Sequence, residues 1–120
     1  MYKILMVGQD AHLLATRASV LKKISGHVVS CNAWVALKFL ESETPNLVVL
    51  CHSLSVEEAE GIADKAHRRD EGIRVLMLIS PTSPDRSFGD TKFDAISLSG
   101  PAGLITKTAE LLQGLPDHPS

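Results

Sequence analysis

The residues best suited to chemistry lie in three places. Cys51-His52 sets a thiol beside an imidazole, a pair fit for a redox centre or a soft-metal site, with Asp10 and His12 as helpers. Gly8-Gln9-Asp10 closes a short apolar run, where a loop could meet a ligand. Lys65, His67, Arg68 and Arg69 form a basic cluster. Each has a plainer reading. Cys is among the most buried residue types, and adjacent strand residues point to opposite faces, so Cys51 and His52 converge only where the strand has ended. The Gly8 loop lacks G-x-G-x-x-G and Walker spacing, and Asp10 suits a helix cap better than a metal site. Cations at a helix end complement its negative terminus. Cys31 and Cys51 lack the paired spacing of a disulfide scaffold or a four-ligand zinc site.

These residues are positioned by an alternation of apolar runs and helix-period segments. Tyr2–Val7 reads as a strand buried on both faces. Ala11 to Ile24 carries Leu14, Ala18, Leu21 and Ile24 at helical spacing, with Arg17, Lys22 and Lys23 mostly off that stripe. His27–Cys31 is a second strand. Asn32 caps a helix whose apolar stripe is Val35/Ala36, Phe39 and Leu40. Leu47–Cys51 is β-branched and apolar, hence a central strand. Ser55 and Glu58 have capping-box spacing, opening a helix to about Arg69 that is broken by Gly72. Arg74–Ile79 is the fourth strand and Phe93–Leu98 the fifth. Between them Pro81, Pro84 and Gly89 leave room for a turn or two of helix at most, so a fourth helix is shortened or missing. A last helix runs from Pro101 or Ala102 through Leu112. Residues 1–116 form one domain and 117–120 a tail.

Parallel strands alternating with helices predict an α/β three-layer sandwich, flavodoxin-like, with strand order 2-1-3-4-5. In such sheets ligands bind beyond the carboxyl ends of the strands, here Gly8–Asp10, Cys51–Leu54 and Ile79–Ser80. In that order one strand separates Cys31 from Cys51, about 9–10 Å, which is beyond disulfide reach.

Composition narrows the classes. The 120 residues suffice for one core, and 44% hydrophobic with 22% charged residues is the balance of a globular protein rather than a disordered one. Twelve Lys and Arg against 14 Asp and Glu leave a net charge of −2, which predicts no nucleic-acid partner. No apolar run reaches the roughly 18–20 residues of a membrane span, and the start lacks a signal peptide's basic region. A cytoplasmic setting is the expectation.

Tyr2 to about Leu115 resembles a response-regulator receiver domain of two-component signalling. The resemblance rests on K-I-L-M-V in the first strand, P-N-L-V-V-L leading the third, R-V-L-M-L in the fourth and L-S-G-P at the last helix. It implies a phosphorelay site: an acidic pair and a strand-three Asp around Mg²⁺, a Ser/Thr and a Lys on the phosphoryl oxygens, and a ring residue that reports the switch. Position by position, the acidic pair falls on Gly8 and Gln9 and the phosphoacceptor on Cys51. The Ser/Thr falls on Ile79 (Ser80 is next), the Lys on Gly100 and the ring on Ser97. The Pro after the phosphoacceptor falls on Ser55. Gly100-Pro101 keeps the place of the family's Lys-Pro step, and a cis bond is expected there.

Without carboxylates no tight Mg²⁺ site remains, and without metal and Lys the charge that develops on a phosphoryl group is uncompensated. The sequence therefore predicts an atypical single-domain receiver, not an enzyme, with no cofactor and no Mg²⁺. It would act as a phosphorylation-independent interaction module with a protein partner, a homodimer included, and no output domain following. Trp34, Phe88 and Phe93 are its candidate contact residues. The alternative is a small-ligand or thiol-redox sensor using Cys51 at the same edge.

Overall fold

The computed structural model describes residues 3–23, 27–51, 54–79, 93–98, 104, 106 and 108–111. Eight elements are assigned in chain order: β1 (Lys3–Val7), α1 (Ala11–Leu21), β2 (His27–Cys31), α2 (Ala33–Ser42), β3 (Leu47–Leu50), α3 (Val56–Arg69), β4 (Arg74–Ile79) and β5 (Ala95–Leu98). Residues 104, 106 and 108–111 are helical as well.

The five strands form one parallel sheet in the order β2-β1-β3-β4-β5, as the alternation of elements predicts. All four residues of β3 are buried, as a strand covered on both faces requires. Alternate residues feed two cores. Leu5, Val7, Val48, Leu50, Val75 and Met77 pack against Ala36 and Leu40 of α2 and Ile62, Ala63 and Ala66 of α3. Ile4, Met6, Leu47, Val49, Leu76 and Leu78 pack against Leu14, Ala18 and Leu21 of α1 and against Leu104. The period-two pleat thus yields three layers. Removing these side chains from water is the main force that holds the sheet, about 1.5–3 kcal/mol for each large apolar group.

Local chemistry sets the helix ends. Asp10 Oδ1 accepts from His12 N at 3.0 Å to open α1. Asn32 Oδ1 accepts from Val35 N at 2.9 Å to open α2. Ser55 and Glu58 close a full capping box, with Glu58 N donating to Ser55 Oγ (3.1 Å) and Ser55 N donating to Glu58 Oε1 (3.0 Å). At the base of the sheet, Asn46 takes Lys3 N on its side chain (2.8 Å), donates its own N–H to Lys3 O (2.8 Å) and accepts from Arg74 N (3.1 Å).

Four expectations are corrected. First, α1 ends at Leu21, short of Ile24, with Lys22 and Lys23 in a turn where Lys23 N donates to Val20 O. Second, Val35 is 44% exposed, because the inward stripe of α2 is Ala33, Ala36, Leu37 and Leu40, with Phe39 at its edge. Third, Arg17 belongs to the buried stripe of α1 and is only 8% exposed. Fourth, β5 begins at Ala95 rather than Phe93. Asp94 binds β4 through both backbone and side chain, with its N donating to Val75 O (2.8 Å) and its Oδ2 accepting from Val75 N (2.7 Å). The shortened fourth helix, the Gly100-Pro101 bond and the tail 117–120 lie outside the described residues.

Candidate functional site

The carboxyl ends of β1, β2 and β3 form a stepped rim. Gly8 N donates to Cys31 O (3.1 Å), and Cys51 N donates to Val7 O (2.8 Å), so Gly8 and Cys51 continue the ladder one step past their strands. Leu54 N then donates to Cys51 O (3.1 Å) and turns the chain toward α3. Gly8 is buried and Gln9 exposed. Across the rim, Gln9 Nε2 donates to Glu58 Oε1 at 2.6 Å. The carboxylate that caps α3 therefore also holds the loop after β1.

Cys51 is 1% exposed and faces the α1 side of the sheet. Burial pushes its thiol up from the ordinary value, and the charge and hydrogen bond of Arg17 oppose that rise without overcoming it. Such a thiol stays protonated, and a protonated thiol is a poor nucleophile and a poor metal ligand. Cys31 faces the opposite core, partly buried, and burial pushes it from 9.0 to about 11. The two thiols thus lie in different layers. Cys31 lines a cleft of about 330 Å³ with Gly8, Gln9, Leu14 and Asn32, among others.

The remaining positions divide. Ile79 ends β4 beside Leu98, and Ser97 lies in β5 opposite Leu78. Asp10 and His12 serve the start of α1, and both are exposed. His52, Ser80, Phe88 and Gly100 lie outside the described residues. Phe93 packs partly against the α2–α3 core. Trp34 stands 65% exposed in the first turn of α2, with Lys38 Nζ 4.1 Å from its ring centroid. The basic cluster is internally matched. Lys65 pairs with Glu41 (3.3 Å), Arg68 with Asp64 (3.2 Å) and His67 with Asp94 (3.0 Å), and Arg69 donates to Thr44 Oγ1 (3.1 Å) and Glu41 O (3.1 Å).

Mg²⁺ needs several oxygen ligands in near-octahedral array. The aligned positions offer a glycine, an amide already bonded to Glu58, and a soft, buried thiol; the carboxylates nearby, Asp10 and Glu58, serve the starts of α1 and α3, and among the described residues no group of three His, Cys, Asp or Glu is gathered anywhere. These residues do not fit the ion.

Two features escaped the sequence reading. Arg17 sits at Leu14 + 3 and Leu21 − 4, stripe positions both, but its charge argued for solvent. Glu58 was visible as a cap, whereas its reach to Gln9 depends on the fold.

No protein-family model and no curated protein matches this sequence. Solved structures do. An uncharacterised protein from Neptuniibacter caesariensis superposes with a TM-score of 0.80 at 13% identity, covering 93% of this chain and 87% of its own. A CheY-like response regulator receiver domain protein from Methanospirillum hungatei JF-1 gives 0.75 at 22% identity, covering 94% of each. The chain has the receiver fold. Chemotaxis response regulator CheY4 of Vibrio cholerae adds 0.72 at 14% identity, covering 92% of this chain and 98% of its own. At such identities the receiver fold is shared over nearly the whole length while most side chains differ.

Proposed function

We propose that this chain is a signal-transduction receiver module that has lost phosphoryl chemistry and works by binding another protein. One observation carries the reading: Cys51, which the resemblance sets at the phosphoacceptor position, is 1% exposed, while Gln9 across the rim is tied to Glu58. A receiver accepts phosphate on an exposed carboxylate beside a cation, and neither property is supported here. Gly8, Gln9, Ile79 and Gly100 complete the set of replaced positions, and Ser97 replaces the ring. The module is not an enzyme on this reading. No helix among the described residues is long and apolar enough to cross a membrane.

The redox alternative through Cys51 loses support from the same burial, since oxidants attack accessible thiolates.

The test is a thermal melt of the chain with Mg²⁺ and beryllofluoride, beside mass spectrometry after acetyl phosphate. Ligands that bind only the folded state raise its melting point. The expected result is no shift and no added mass. A rise of several degrees, or a phosphoryl adduct, would overturn the proposal.

A further inference from the structure

Trp34 and Val35 are the exposed large hydrophobic residues among those described, at 65% and 44% exposure. They are consecutive in the first turn of α2, and Lys38 sits one turn further along with its ammonium over the indole face. An adjoining cleft of about 370 Å³ is lined by Gln9, Asn32, Ala33, Trp34 and Glu58. Its polar walls are partly engaged: Glu58 Oε1 accepts from Gln9 and Ser55, and Asn32 Oδ1 accepts from Val35. Beside that cleft the patch presents a partner with the indole, the Val35 methyls and one ammonium. Among the described residues Lys38 has no carboxylate partner, whereas Lys3, Lys65, Arg68 and Arg74 each reach one.

We infer that Trp34, Val35 and Lys38 form a docking site for an acidic, apolar segment of another protein. This rests on the interaction-module reading and names its surface. The indole is a rigid anchor of the kind that dominates interfaces, and an incoming apolar side chain can cover it and enter the cleft beside it. The charge orients that contact. A carboxylate flanking the apolar residue meets Lys38, while a basic segment is repelled by it. A second copy of the chain fits poorly. In a two-fold contact the same patch meets itself, and the carboxylate lining the adjoining cleft, Glu58, already accepts from Gln9 and Ser55 through Oε1. A nucleic acid finds a single cation here on a chain of net charge −2.

The experiment selects random 12-residue phage-displayed peptides on the full chain, then measures selected peptides by fluorescence anisotropy against wild type, Trp34→Ala and Lys38→Glu. Both substitutions are at exposed positions, and matching thermal melts confirm that the variants fold. The expected peptides carry an apolar residue flanked by Asp or Glu. Trp34→Ala should weaken them roughly thirtyfold, the scale of a hot-spot truncation. Lys38→Glu should weaken them about tenfold and favour basic peptides instead. Basic winners, winners indifferent to both variants, or no winners would overturn the site while leaving the phosphorylation-independent reading intact. A concentration-dependent dimer abolished by Trp34→Ala would assign the patch to a second copy and overturn the proposal. Binding that appears only with Mg²⁺ and beryllofluoride would overturn the reading beneath it.

Discussion

The Cys51 thiol is buried at the end of β3, and that burial raises its pKa. Labelling rates make this measurable. Cys31, raised from 9.0 to about 11, should react about a hundredfold more slowly than an ordinary thiol, since the thiolate fraction falls tenfold per unit. Cys51 should be slower still because reagent must wait for the rim to open, and both should react at ordinary rates in urea. A fast native Cys51 would contradict its burial. Arg17 supplies a second test. Its guanidinium opposes the rise at Cys51, so Arg17→Met in a Cys31→Ser background should push the Cys51 thiol higher, seen as a later onset in a thiolate absorbance titration. An earlier onset would mean that the contact is not the one described. Arg17 was illegible for a physical reason. Periodicity weighs an arginine as a surface residue, whereas its aliphatic stem can lie in a core with its charged head directed at a partner.

At the scale of elements the caps were plain to read, because Asp10, Asn32, Ser55 and Glu58 act within four residues of themselves in the chain. Ser55→Ala should cost about 1 kcal/mol in urea unfolding, as helix-cap losses do. Glu58 serves two elements, so its substitution is coupled to that of Gln9: the losses for Gln9→Ala and Glu58→Ala should sum to more than the double variant shows. Additive losses would mean that the 2.6 Å contact contributes nothing. Asp94 shows the limit of strand reading. Its carboxylate holds Val75 N and lies 3.0 Å from His67 and 3.6 Å from Arg74, a junction of α3, β4 and β5 that no local pattern announces. Asp94→Ala should destabilise by about 1–3 kcal/mol through the orphaned amide.

For the whole molecule, strand order and layer assignment were legible because parallel strands buried on both faces leave few arrangements of helices. The proposed site was legible only by resemblance, since a receiver's own residue types are what the proposal takes to be missing there. Stability should also carry a thiol signature. The folded pKa of Cys31 lies above its unfolded value, so the associated stability is complete below about pH 9.0 and is lost as pH rises toward 11. Urea midpoints should fall across that window, and less steeply in Cys31→Ala. Glu43, lowered by its hydrogen bond from Lys3, acts in the opposite sense at acid pH but is exposed and adds little. Asn46 has a broader consequence. It stitches three strands together at their amino ends, and a slip of one residue there would send every side chain of the slipped strand into the opposite core. Because that stitch lies at the far end of the strands from Gly8 and Cys51, alignment of the sheet is secured independently of whatever occupies its opposite border. Such an arrangement lets one border be rewritten residue by residue while the architecture beneath it stays in place.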